Sequence, residues 1–140
     1  MQFSNENPVI EISEQFKSVD SFVLGDELII EIFVNLMTNA IKYTDLEIKR
    51  VDVSWEPWVR NRDFSHVKVT DHGIGIPDDQ KSHLFGRFSK IESTKGLGLG
   101  LNIVLGLVER YGGYIWFENR IPGDYKQGTV ANVCLRRANQ

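Results

Sequence analysis

The chain has 140 residues, a formal net charge of -3, 41% hydrophobic and 25% charged residues, ordinary values for one soluble domain with a single core. That charge supplies no basic field for a nucleic-acid partner, no apolar run approaches the roughly 20 residues of a membrane span, and the first residues carry no signal-peptide pattern. The single cysteine, Cys134, excludes an internal disulfide framework or a cysteine-based zinc site and fits a reducing, cytoplasmic compartment.

Residues 9–12 and 21–24 read as short strands around a polar turn at 17–20. Gly25-Asp26 breaks the pattern, and Asp26 is placed to cap a helix from Glu27 to about Lys42. Within it Leu28, Ile29, Ile32, Phe33, Leu36, Met37 and Ala40 recur at helical spacing, which predicts one buried face. Residues 48–55 and 65–69 read as strands around a connection containing Pro57. Residues 77–95, polar apart from Leu84, Phe85 and Phe88, predict a short helical turn and a mobile loop. Residues 99–111 form a second helix, apolar nearly all round and stopped by Gly112-Gly113. Residues 114–118 and 129–135 close the chain as strands joined by a turn at Pro122-Gly123-Asp124. With no repeat, linker or low-complexity tract, residues 1–140 are expected to form one domain of class α+β.

Three segments carry the chemistry. In Asn35-Leu-Met-Thr-Asn39-Ala-Ile-Lys42-Tyr43, helical geometry puts Asn35, Asn39, Lys42 and Tyr43 within roughly a quarter turn of one another, where the helix leaves the core. Amide oxygens are neutral hard ligands, suited to a Mg²⁺ ion that takes its other ligands from nucleotide phosphates and water. Lys42 offers a point charge and Tyr43 a flat face. Taken alone, the same residues also describe the solvated side of an amphipathic helix. The strand at 65–69 leads into Asp71-His-Gly73-Ile-Gly75-Ile-Pro77. A carboxylate there, beside glycine backbone open to close approach, accepts a hydrogen bond from an exocyclic amine. Adenine presents that amine and guanine an oxygen, and leaving buried polar groups unpaired costs about 1–3 kcal/mol each, more for charges. The other reading is an ordinary Asp-x-Gly turn. Gly96-Leu-Gly98-Leu-Gly100 runs directly into the second helix, where bare N–H groups form a phosphate site; glycines admitting close helix packing are the other reading. It is not a Walker loop, having no Gly-Lys-Ser/Thr, and no strand precedes it as a dinucleotide fingerprint requires. His66, His72 and His83 lack metal-site spacing and read as solvent-facing.

In this order the segments resemble the Bergerat-fold ATPases of the GHKL superfamily, specifically the catalytic and ATP-binding domain of two-component sensor histidine kinases. The Asn35–Tyr43 segment is similar to that family's asparagine box, Asp71 to Pro77 to its first glycine box, and Leu84-Phe85-Gly86-Arg87-Phe88 to its phenylalanine box. Gly96 to Leu101 is similar to its second glycine box, and Gly128-Thr129 opens a final strand as the family's does. The resemblance implies a two-layer α/β sandwich, with a mixed, mostly antiparallel sheet and helices on one face. It implies ATP bound between helices and a lid at residues 78–95. Asn39, with Asn35, would ligand Mg²⁺, and Asp71 would read the adenine amine. Asn35, Asn39 and Lys42 would be the catalytic set. Tyr43, Gly73, Gly75, Ile76, Gly96, Leu97, Gly98, Leu99, Gly100 and Thr129 would complete the nucleotide contacts.

The DNA gyrase ATPases, MutL and the heat-shock chaperone ATPases resemble the same plan but carry Glu where Asn35 stands. An amide takes no proton at pH 7, and Glu31 lies a further turn from Asn39, so slow hydrolysis is expected, with the phosphoryl group kept for another acceptor. The resemblance implies a phosphoacceptor histidine on a separate helical domain, and indirectly a response regulator. No such hairpin precedes Asn35 here, so the domain is expected to act in trans or as part of a larger sensor, and to be monomeric by itself. The lid is short, Leu97 replaces a small or hydroxyl residue, and Arg87, Lys90 and Lys95 are its candidate charges. Alternatives are a serine kinase of the anti-sigma-factor type and a nucleotide-binding interaction module without catalysis. Phe85, Phe88, Ile91 and a patch at Trp55 and Trp58 are either docking surface or peripheral core. Cys134 reads as a packed residue.

Overall fold

The computed structural model describes residues 9–16, 27–42, 48–76 and 99–137. The expected strand at 21–24, the Asp26 cap, Tyr43 and everything from Pro77 through Gly98, including His83 and the expected lid, lie outside the described residues. Within them the order is β1 (Val9–Phe16), α1 (Ile29–Lys42), β2 (Ile48–Pro57), β3 (Phe64–Asp71), α2 (Leu99–Arg110), β4 (Tyr114–Ile121) and β5 (Asp124–Arg136). The strands form one five-stranded sheet in the order β1-β2-β3-β5-β4. The β1–β2 pair is parallel and every other pair antiparallel, the mixed, mostly antiparallel sheet that was expected.

Register divides the sheet into two faces, because residues directly opposed on neighbouring strands point the same way. One row runs Val53, Val69, Ala131, Phe117 and the next Trp55, Val67, Val133, Ile115. Against this face lie Ile32, Leu36 and Ala40 of α1 and Val104, Leu105 and Val108 of α2, forming a single buried core. The two helices also pack on each other. Fully burying one such aliphatic side chain contributes about 1.5–3 kcal/mol. The opposite face carries the rows Glu56, His66, Cys134, Tyr114 and Ser54, Lys68, Asn132, Trp116.

The ends of the elements depart from expectation where hydrogen bonds decide them. α1 starts at Ile29, not Glu27: Ile30 and Glu31 donate to the carbonyls of Glu27 and Leu28 in a preceding turn, and Leu28 is 42% exposed rather than on the buried face. β2 and β3 each run two residues further, to Pro57 and Asp71, so Asp71 is the last ladder residue instead of the first loop residue. β4 and β5 form a long hairpin whose tip is Pro122-Gly123. α2 ends as expected: Gly112 has φ +67, and the Gly113 N–H bonds the Val108 carbonyl at 2.9 Å. It is more amphipathic than its sequence implies, with Ile103 47% exposed.

Gly106 lies on the exposed side of α2, and a Cβ there meets nothing within 4 Å. Gly106→Ala is therefore expected to stabilise the domain by about 0.5–1 kcal/mol, read as a higher urea midpoint with unchanged slope. An unchanged or lower midpoint would show that this face of α2 is not free.

Candidate functional site

Topology brings the described parts of the predicted segments to one end of the sheet. The β2 start pairs with the β3 end through Val51 and Asp71, and β5 enters beside it through Val130 opposite Thr70. α1 runs toward this end, since Phe33 near its start packs on Trp55 at the far end of β2, ring centroids 5.9 Å apart. α2 starts from it, because β4, which follows α2, begins at the far end with Tyr114 opposite Cys134. Asn39, Lys42, Asp71, Thr129, Leu99 and Gly100 thus belong to element ends that converge.

The Asp71 carboxylate is the fixed point of this end. Its Oδ1 accepts from the Gly73 N–H at 2.9 Å and from the Thr129 N–H at 3.1 Å. Both bonds go to one oxygen, and no hydrogen bond to Oδ2 occurs among the described residues. Burial pushes the Asp71 carboxyl above its ordinary value, against the two backbone bonds and the nearby His72 and Arg120. Such a carboxyl is oriented before any ligand arrives, with one oxygen left to accept.

One glycine allows this. Gly128 has φ +111, and a Cβ there would lie 2.2 Å from the Asp71 carbonyl oxygen. Only a bare backbone lets β5 approach closely enough for Thr129 to reach the carboxylate. Gly128, expected to open the final strand, instead lies inside β5, which begins at Asp124, and its role in holding Asp71 is visible only across strands. Gly75 has φ +77, and its Cβ would lie 1.6 Å from the Tyr125 carbonyl oxygen. Its glycine is thus accounted for by the β4–β5 hairpin beside it. Gly73 is buried, and Ile76, 9% exposed, belongs to the core.

On α1, Asn35 and Asn39 are half-buried, at the border of the core as their helical positions predict. The Asn35 Nδ2 donates back to the Glu31 carbonyl at 2.6 Å, which leaves Oδ1 as the outward acceptor. Lys42 closes α1 and Leu99 and Gly100 open α2, where the first N–H groups have no intrahelical partner. Gly96, Leu97, Gly98 and Tyr43 fall outside the described residues.

Of the three histidines, the two described, His66 and His72, are not solvent-facing as expected. His66 is 8% exposed and bonds Asn132 through Nε2 at 2.8 Å, and burial holds its pKa below 6.5. His72 is half-buried, its Nε2 2.9 Å from Asp52, whose other oxygen takes Arg50 at 3.3 Å. Sequence shows neither, because the partners come from other strands. No cluster of metal-ligating His, Cys, Asp or Glu occurs among the described residues. Trp55 and Trp58 are not one patch: Trp55 packs on Phe33 under α1, and Trp58 packs on Phe64, Tyr114 and Trp116 across the other face.

Cys134 is fully buried, and burial pushes its thiol up to about 12. Native protein at pH 8 is expected to leave it unmodified by a thiol reagent over hours and to release one equivalent on denaturation. Rapid native labelling would contradict this packing.

The chain belongs to the family of histidine kinase-, DNA gyrase B- and HSP90-like ATPases, which it matches over residues 25–139. It is 37% identical over 119 residues to the hybrid signal transduction histidine kinase F of Dictyostelium discoideum, covering 81% of this chain and 10% of that protein. It is 34% identical over 100 residues to the histidine-protein kinase ArlS of Staphylococcus haemolyticus, covering 68% of this chain and 20% of that protein. The chain thus spans at most a fifth of these curated relatives. Its fold is similar to that of the mycobacterial sensor histidine kinase MprB, with a TM-score of 0.72, 27% identity, and 94% of this chain and 84% of that one covered. It is also similar to full-length ShkA in complex with AMPPNP, with a TM-score of 0.70, 28% identity, and coverage of 94% and 26%. These likenesses agree with the Bergerat-type α+β sandwich expected from the sequence.

Proposed function

We propose that this domain binds ATP with Mg²⁺ and that the γ-phosphoryl group passes to a histidine on a separate helical domain of a two-component sensor kinase. The observation that carries the reading is Asp71: a partly buried carboxylate oriented by two backbone N–H groups through one oxygen, with the other free to accept among the described residues. The exocyclic amine of adenine matches that acceptor and the carbonyl of guanine opposes it. The Asn35 amide, whose nitrogen is committed to Glu31, presents a neutral oxygen of the kind Mg²⁺ takes beside phosphates and water.

When bound, the nucleotide and its metal supply the activated phosphoryl group. The chain's own part is placement. Asp71 fixes the base, Asn39 with Asn35 lends oxygen to the metal, and Lys42 adds positive charge. The α2 N-terminus at Leu99 and Gly100, with the preceding Gly96, Leu97 and Gly98, holds phosphate oxygens. Asn35 accepts no proton in its amide form, so water is activated poorly and the phosphoryl group is conserved for the acceptor. The names of the relatives favour histidine over serine as that acceptor.

Calorimetric titration with ATP and GTP in Mg²⁺, followed by labelled phosphoryl transfer to a histidine-bearing helical hairpin supplied in trans, tests both halves. ATP binding that greatly exceeds GTP binding, with label on histidine and little free phosphate, is the expected result. Equal affinity for the two nucleotides would overturn the assignment of Asp71, and acid-stable label on serine would overturn the acceptor.

A further inference from the structure

The sheet face away from the helices holds a second site. A cleft of about 790 Å³ opens there, lined by Trp58, Arg60, His66, Tyr114, Trp116 and Glu118, with Val59 and Ile115. That volume falls in the range of small-ligand pockets. Its residues belong to the β2–β3 connection, β3 and β4, away from Asp71 on the opposite face.

A hydrogen-bond network runs from the buried His66 and Asn132 out to Glu118, which is exposed at the cleft mouth. Asn132 is fully buried, and its Nδ2 donates to Glu118 Oε1 at 3.0 Å. The Trp116 Nε1 donates to the same Oε1 at 2.8 Å. Glu118 is thereby held with Oε1 doubly satisfied, while Oε2 has no hydrogen bond among the described residues. The Asn132 Oδ1 faces His66 Nε2 at 2.8 Å. With the Asn132 amide nitrogen committed to Glu118, Nε2 carries the imidazole proton and Nδ1 is left as an acceptor. Aromatic rings complete the walls: Trp116 lies 5.2 Å from His66 and 6.0 Å from Trp58, and Trp58 lies 5.2 Å from Tyr114, centroid to centroid.

We propose that this cleft binds a guanidinium group, stacked on the indole faces and hydrogen-bonded to the free Glu118 oxygen. A fixed carboxylate beside indole, phenol and imidazole rings recognises an organic cation. A guanidinium fits better than an ammonium because it is planar, weakly hydrated and able to stack. Burial lowers the His66 pKa, which reduces the charge its imidazole sets against a bound cation. Among the described lining residues Arg60, exposed on the loop, is the one lysine or arginine; removing its charge is expected to strengthen binding of a cation.

Two probes distinguish a free small cation from a protein side chain: ethylguanidinium chloride, and an end-blocked peptide with one arginine between glycines. Both are titrated at constant ionic strength against sodium chloride, following the indole N–H resonances of the three tryptophans by NMR. Trp55, on the helix-covered face, is the internal control. Saturable shifts of Trp58 and Trp116 with Trp55 unmoved are expected. Binding should weaken about tenfold in Glu118→Gln, which keeps the Oε1 acceptor and loses the charge, and tighten in Arg60→Gln. Response to ethylguanidinium alone or to both probes identifies a small cation as sufficient; response to the peptide alone identifies a partner's arginine. No saturable shift with either probe, or shifts undiminished in Glu118→Gln, overturns the proposal. ATP is absent throughout, so the result stands apart from the nucleotide site.

Discussion

Asp71→Asn is expected to weaken ATP binding by roughly tenfold to a hundredfold while raising the thermal midpoint of the nucleotide-free domain at pH 7. The binding loss follows from the second carboxylate oxygen. The asparagine keeps an Oδ1 for the Gly73 and Thr129 N–H groups, but offers the adenine amine a donor where an acceptor stood. A hydrogen bond to a charged group contributes about 1.5–3 kcal/mol, and each 1.4 kcal/mol is about a factor of ten. The same amide donor suits the guanine oxygen, so the preference for ATP over GTP should narrow as well. The stability gain follows from burial, which raises the Asp71 pKa above 3.8 in the fold. A carboxyl with a raised folded pKa contributes stability fully below its unfolded value and loses it as pH rises through the folded one. At pH 7 the ionised carboxylate is therefore a net cost that the amide removes. Melting curves from pH 7 down toward 4 should show the gap between variant and parent closing. A variant less stable than the parent at pH 7 would mean that the two backbone bonds outweigh burial.

Gly128→Ala is expected to lower the thermal midpoint by roughly 5–10 °C and to reduce ATP binding together with it. The strain has two sources. An L side chain at φ +111 costs on the order of 1–3 kcal/mol by itself, and its Cβ would sit 2.2 Å from the Asp71 carbonyl oxygen and 3.0 Å from the His72 Cα. Both neighbours are backbone and do not swing aside. β5 must therefore retreat from the end of β3, which pulls the Thr129 N–H off the carboxylate. The affinity should remain low at temperatures where circular dichroism shows the variant folded. Full affinity in a folded, destabilised variant would separate the glycine from the placement of Asp71. Gly106→Ala, equally a methyl in place of hydrogen but at open helical backbone, should move stability the other way. Geometry, not residue type, sets the sign.

How much of this was legible beforehand depended on the range of the interaction. α1 and α2 were visible as periodic apolar positions, and the α2 stop at Gly112 as a local conformational demand. The candidate site was visible as three segments because residue type and short spacing carry it. What the segments could not state was their meeting. Strand order β1-β2-β3-β5-β4 inserts the last strand between β3 and β4, and only that insertion brings Thr129 to Asp71. Gly75 reads as freedom for a ligand in a single sequence, yet the Tyr125 backbone fills the space beside it.

His66 and Trp58 fail for the same reason on the other face. An exposed-looking histidine is buried because Asn132 arrives from β5 beside it and Trp116 from β4 beyond. Two tryptophans three residues apart are divided between faces once β2 ends at Pro57. The sequence alone determined the family and the α+β class, since those rest on local periodicity and on motifs whose residues are near neighbours in the chain. Tertiary structure alone decided which carboxylate oxygen is left to accept, why Gly128 has no side chain, and that a second, aromatic-walled cleft faces away from the helices. Each of these depends on cross-strand contacts over tens of residues, and pairing register is set by the burial of the whole sheet rather than by any one segment.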